Sequence, residues 1–153
     1  MKLFSCFLYT MLILCIYSCT CKCSHLELNT VYFKFKIGAG PGSFTDQEVD
    51  TIIVYRLVKN TNTKVDSVII YDKSFSLNES ESYFKSTSFW DNDYRIKTQT
   101  SKDFLISEIQ IESAEEKNRC KCFVNTSKKF KVNGMAFDLS GKPWNESNVE
   151  LTK

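Results

Sequence analysis

Residues 31–37 alternate strictly: Val31, Phe33, Phe35 and Ile37 are apolar, while Tyr32, Lys34 and Lys36 between them carry polar groups. A period of two places successive side chains on opposite faces of an extended strand, so this stretch reads as a strand with one buried and one wet face. The same reading recurs along the chain. Residues 51–58 are β-branched and apolar enough for a buried strand, and 65–71 make the next. Lys59-Asn60-Thr61-Asn62-Thr63-Lys64 between them is turn chemistry, so 51–71 reads as a hairpin. Further strands are expected at 82–89, 94–98, 104–111, 120–124, 128–132 and 149–152.

Turn-forming clusters separate these runs at the 8–12-residue spacing typical of two-layer β folds: Asp91-Asn92-Asp93, Asn125-Thr126-Ser127, Asn133-Gly134 and Ser140-Gly141-Lys142-Pro143. Helical periodicity is scarce. Over 104–117, Leu105, Ile106 and Ile109 can line a helix, but the β-branched Ile106, Ile109 and Ile111 favour a strand, followed by a short turn or helix at 114–118. The expected fold is all-β: a single antiparallel β-sandwich, immunoglobulin-like or transthyretin-like, over residues 30–153.

The N-terminal end has a different character. Lys2 is followed by an uncharged, almost wholly apolar or small run from Leu3 to Ile16. That is short for a membrane span of roughly 20 residues and suits the apolar region of a cleavable signal. The segment closes with Ile16-Tyr17-Ser18-Cys19. An aliphatic residue three positions before a cysteine, and a small one just before it, resembles the bacterial lipobox, where cleavage leaves a cysteine whose thiol carries diacylglycerol. Residues 1–18 are therefore expected to be a lipoprotein signal, Cys19 the lipidated residue, and 19–29 a short tether. Ordinary cleavage without lipid and an uncleaved anchor are the alternatives.

Cysteine parity agrees. Removing residues 1–18 takes Cys6 and Cys15 from the seven cysteines and leaves five. Lipidation of Cys19 accounts for the odd one. The other four form two C-x-C pairs, Cys21/Cys23 and Cys120/Cys122. Within one extended C-x-C the α-carbons stand about 6.6 Å apart, near the upper limit for a disulfide. Opposed residues on neighbouring antiparallel strands approach to about 4.5–5.5 Å, well inside it. The expectation is that Cys21 and Cys23 pair with Cys120 and Cys122, in an order the sequence leaves open. Four thiolates around zinc or copper(I) are the rival arrangement. The one-residue spacing and an oxidising compartment favour disulfides, and no metal is expected.

After removal of the signal from the 153 residues, 135 remain, with 19 basic residues against 18 acidic ones. This suits one domain and argues against a dedicated nucleic-acid surface. Lys128, Lys129 and Lys131 form the one compact basic run, read as the wet face of a strand because Phe130 and Val132 alternate with it.

Catalytic patterns are missing. His25 is the single histidine, and neither H-E-x-x-H nor G-x-S-x-G occurs. Gly38-Ala39-Gly40-Pro41-Gly42 lacks the Gly-Lys-Ser/Thr of a phosphate loop and reads as a hairpin turn. Asp91-Asn92-Asp93 suggests calcium, but Arg95 stands where a fifth-position oxygen ligand is needed. No cofactor is expected. Trp90 and Trp144 are the candidate ligand-contact aromatics, set against the simpler role of capping the β core.

The chain resembles small Bacteroidetes lipoproteins, a family without an established activity. The resemblance rests on Ser18-Cys19, on Phe44-Thr45, and on Glu48-Val49-Asp50-Thr51-Ile52-Ile53-Val54-Tyr55-Arg56. Asp93-Tyr94-Arg95-Ile96, Ile106-Ser107-Glu108-Ile109, Lys121-Cys122 and Val132-Asn133-Gly134 extend it. It implies export and lipidation. Thr20-Cys21-Lys22-Cys23 lacks the acidic residues that often follow the lipidated cysteine of surface-exported members, which favours the periplasmic leaflet of the outer membrane over the cell surface. Together these features point to a membrane-anchored, non-enzymatic binding or structural module of the cell envelope, with an envelope protein or glycan as partner. A thiol-based redox or metal-handling role for the two C-x-C pairs is the second reading.

Overall fold

The computed structural model describes residues 30–77, 89–100, 102–115, 123–142 and 148–153. Among these residues nine strands build two sheets: β1 (Val31–Phe35), β2 (Ile52–Val58), β3 (Lys64–Ile70), β4 (Ser74–Leu77), β5 (Asn92–Lys97), β6 (Asp103–Glu115), β7 (Phe123–Val132), β8 (Met135–Asp138) and β9 (Asn148–Leu151). A three-stranded sheet of order β4-β1-β9 packs on a six-stranded sheet of order β3-β2-β5-β6-β7-β8. The fold is an all-β sandwich. One pair departs from the antiparallel expectation: β1 and β9 run parallel, with Phe33 beside Val149 and Phe35 beside Leu151.

The alternation seen in the sequence becomes the core. Val31, Phe33 and Phe35 of β1 point inward and are buried, as are Ile52 and Val54 of β2, Tyr94 and Ile96 of β5, and Phe104 and Ile106 of β6. Aromatic rings join the layers. Phe33 stacks on Phe75 at 5.2 Å and meets Phe130 edge-on at 5.9 Å. Phe35 meets Phe44 and Phe104 edge-on at 5.4 and 6.0 Å. Such offset and edge-to-face pairs add to area burial because the negative ring face meets the positive ring edge.

Several expectations are corrected. Residues 38–42 do not make a hairpin turn. The chain loops back so that Phe44 bridges Ile37 in parallel, with Phe44 N donating to Lys36 O at 2.8 Å and Gly38 N to Phe44 O at 3.1 Å. Gly42 makes this possible with a φ of 74°. The turn expected at 125–127 is absent: 123–132 is one strand, with Ser127 beside Glu112 and Asn125 beside Ser113 across register shifts. Ala114 and Glu115 extend β6 where a turn or helix was expected, and residues 116–118 lie outside the described residues. Of the strand expected at 82–89, Phe89 instead opens a 3-10 turn at Phe89–Asp91, and 82–88 lie outside the described residues. Asn92 and Asp93 are not turn residues but begin β5. Strands β4 and β8 were not anticipated. Lys128 is not on a wet face: it is 1% exposed, and its Nζ donates to Thr30 O at 3.0 Å. Only Lys129 and Lys131 face outward, as their ion pairs to Asp138 and Glu108 show.

The β7–β8 connection is the expected two-residue turn. Asn133 and Gly134 both have positive φ, 49° and 83°, matching the twist that a type I′ turn gives a hairpin. Asn133 also ties the turn to β6. Its Oδ1 accepts from Leu105 N at 2.7 Å, and its Nδ2 donates to Asp103 O at 3.1 Å. Asn133→Ala removes both bonds and the residue best suited to the conformation, so it is expected to lower stability by about 1–3 kcal/mol in urea unfolding. Asn133→Gly, which relieves the backbone but not the bonds, should recover only part of this.

Exposed sheet edges are guarded. β3 carries a bulge where Leu57 pairs with Lys64 next to the Arg56/Asp66 pair, and Asp66 points to the inner face. A bulge and an inward charge both disfavour the addition of a further strand. The other edge strands, β4, β8 and β9, have four residues each.

Candidate functional site

Two ends of the sandwich follow from the registers. At one end lie Thr30, the β2–β3 turn, Trp90, Ile109 and the outer half of the β6–β7 ribbon, whose Glu112 to Glu115 are exposed. At the other lie the 38–44 loop, Lys73, residues 98–100, Lys102, the Asn133-Gly134 turn and Lys153.

Trp90 belongs to the first end and packs partly buried against the core, its ring 5.5 Å from Phe89 in an edge arrangement. Lys59 Nζ donates to Trp90 O at 2.9 Å and to Ile109 O at 3.4 Å, pinning the 3-10 turn to β2 and β6. Trp90 thus covers part of the core at this end. Trp144 and Cys19, Cys21, Cys23, Cys120 and Cys122 lie outside the described residues.

Asp93 sits in the same corner, 3% exposed, with Oδ2 accepting from Asn60 N at 2.7 Å. Asn60 reaches it through a positive φ of 60°. Asp93 thus fixes the β2–β3 turn, and among the described residues no group of three or more metal-ligating side chains is assembled.

The inner face holds a polar chain that sequence reading missed. Arg56 binds Asp66 with two bonds, Nε to Oδ1 at 3.0 Å and Nη2 to Oδ2 at 2.6 Å. Tyr94 is Arg56's neighbour across β5, and burial pushes its phenol well above the usual tyrosine range. Arg56 shares its face with Ile52 and Val54, so its parity was the available sign that this cation is buried. The forked pair holds the buried guanidinium from the edge strand, where Asp66 stays partly exposed.

The far end is clasped by charge. Lys153 pairs with Glu48, and its N–H donates to Gly42 O at 2.8 Å. The Lys153 ammonium and the Thr45 N–H hold the Glu48 carboxyl below its ordinary range. Lys73 pairs with Asp46, which raises the ammonium's pKa. A groove of about 210 Å³ opens beside this end between the sheets, floored by Phe104, Val132, Met135 and Phe137 and rimmed by Lys102 and Glu150.

The outer face of the six-stranded sheet divides in two. Across β6–β8 the lysines are neutralised: Lys131–Glu108 at 2.7 Å, Lys129–Asp138 at 3.6 Å, with Lys97–Asp103 at 3.9 Å on the boundary. Hydrogen bonds from Ser140, and then the Lys129 charge, hold Asp138 below the ordinary carboxyl range. Beyond Lys97, the cations across β3, β2 and β5 on this face, Lys64 and Arg95, have no carboxylate within 4 Å among the described residues. Arg95 Nη2 donates to the neutral Asn62 Oδ1 at 2.7 Å, and Lys64 Nζ lies over the Tyr55 ring at 4.5 Å.

Comparison with protein-family models, curated proteins and solved structures finds no match to this chain. No helix among the described residues is long and apolar enough to cross a membrane.

Proposed function

We propose that the protein is a lipid-anchored, non-enzymatic binding module of a bacterial cell envelope, tethered to the outer membrane through Cys19 and akin to the small Bacteroidetes lipoproteins. The anchor rests on the Ile16-Tyr17-Ser18-Cys19 motif behind the apolar run, and a cross-link holding the domain close to it is supported by the contact between Lys128 Nζ and Thr30 O, 3.0 Å long and buried. That contact ties the point where the N-terminal segment enters the sandwich to β7, the strand that leads back to Cys122.

Chain lengths make the cross-link attainable. Cys23 is seven residues before Thr30, a reach of at most about 25 Å. Cys122 is six residues before Lys128, about 20 Å along an extended strand. Both connecting stretches are thus long enough for the cysteines to meet at that end, which supports pairing of Cys21 and Cys23 with Cys120 and Cys122. In this arrangement the Thr30 end sits near the bilayer and the 38–44 loop, residues 98–100 and the Asn133-Gly134 turn face away.

Cys19→Ala tests the anchor. The wild-type protein is expected in the membrane fraction of its host and the variant in the soluble envelope fraction. Retention of Cys19→Ala in the membrane fraction would refute lipidation at this residue.

A further inference from the structure

We infer that the outer face of β3, β2 and β5 is a binding surface for a carboxylate-bearing carbohydrate chain, gripped by Lys64 and Arg95 around Tyr55. The inference rests on the binding-module reading above and gives it a surface and a ligand class.

The registers define the surface. One cross-strand row is Ser67–Tyr55–Arg95–Leu105, and the next along the strands is Ile69–Ile53–Lys97. Neighbours in a row stand about 5 Å apart and rows about 6.6 Å apart, so these side chains form one flat patch roughly 15 Å across. At its centre is Tyr55, half-buried. Val65 and Ile69, 48% and 52% exposed, border it on the edge strand.

Charge gives the ligand its sign. Elsewhere on this face each lysine has a carboxylate within 4 Å. Among the described residues, Lys64 and Arg95 have none: Lys64 lies over an aromatic ring and Arg95 bonds an amide oxygen. The acids nearest the patch are covered or engaged: Asp93 shares the outer face with Arg95 but is buried, and Asp103 pairs with Lys97 at 3.9 Å. Asp93, two residues from Arg95 on the same strand, is 3% exposed and bonded to the Asn60 N–H. Asp66 faces inward onto Arg56. An approaching anion thus meets two cations that no described carboxylate pairs with. A guanidinium offers a carboxylate two parallel bonds.

The remaining groups favour sugar over peptide. A peptide would gain most by adding a strand at β3, but the bulge and inward Asp66 obstruct that edge. The flat patch instead offers a ring for stacking, the Tyr55 and Ser67 hydroxyls, and the Asn62 amide. These suit the apolar faces and hydroxyls of an extended saccharide.

The test uses the mature full-length protein and a galacturonic acid oligosaccharide as the probe, followed by calorimetry. Saturable binding is expected, weakened about tenfold by Arg95→Gln and by Lys64→Gln, each a lost charge-assisted contact. Lys129→Gln, in the neutralised half, should leave affinity unchanged, and thermal melts should show all three variants folded. A neutral dextran should not bind. Absence of galacturonide binding, insensitivity to Arg95→Gln, or equal binding of polyglutamate or duplex DNA would overturn the inference. If binding is absent while Cys19 proves lipidated, this surface falls and the anchored-module reading stands.

Discussion

Phe33→Ala is expected to destabilise the domain by about 3–5 kcal/mol, a large part of the ~5–15 kcal/mol that holds a typical domain folded. Phe33 is 1% exposed and sits where the two layers meet, against Phe75 of its own sheet and Phe130 of the other. Truncation removes the transfer energy of the ring and leaves a cavity, because neighbours on two hydrogen-bonded sheets cannot collapse into it. The control is Ile69→Ala on the outer face, 52% exposed, which should change stability by less than about 1 kcal/mol. Urea unfolding of both variants checks the contrast. Equal small effects would mean that the aromatic contacts between the layers do not hold them together.

The second large effect concerns the proposed cross-link. Replacing Cys120 and Cys122 together by serine should lower stability by about 4 kcal/mol, because a loop of about 100 residues is then free in the unfolded chain. A second rung beside the first closes little additional loop, so one retained pair should preserve most of this stability. For a domain of this size the double replacement corresponds to a fall in melting temperature on the order of 10–20 °C. Reduction of the wild-type protein should reproduce the fall, and reduction of the variant should add nothing. Identical melts for wild-type and variant protein would rule out a structural role for these cysteines.

How far the sequence disclosed this fold depends on the length of each alternating run. The five residues of β1 and the β2–β3 hairpin were legible because alternation, β-branched content and turn chemistry agreed. β4 is only Ser-Phe-Ser-Leu, too short for its period to stand out from the polar residues before it. β8, Met-Ala-Phe-Asp, has weak strand propensity, although the Asn133-Gly134 turn ahead of it already implied a returning strand. Asn125-Thr126-Ser127 has turn composition but is held extended by pairing with β6, a case of tertiary contacts overriding local preference.

Buried cations were the other gap. Lys128 shares the parity of Phe130 and Val132, and Arg56 that of Ile52 and Val54. The period placed both on the inner face while composition suggested a wet one. Their partners, Thr30 O and Asp66, lie 98 and 10 residues away, and pairing at such distances is not written in any local pattern. The Lys64–Tyr55–Arg95 patch was hidden for the same reason. It exists only once β3, β2 and β5 are set side by side.

Lipidation and cross-linking are read together by the intact mass of the mature protein taken from its native membrane, before and after reduction. The expected species is a chain beginning at Cys19, heavier than its 135 residues by a diacylglycerol and any further acyl group, that gains two hydrogens for each of two disulfides on reduction. A chain that still carries residues 1–18, lacks the lipid, or shows four free thiols before reduction would contradict this expectation.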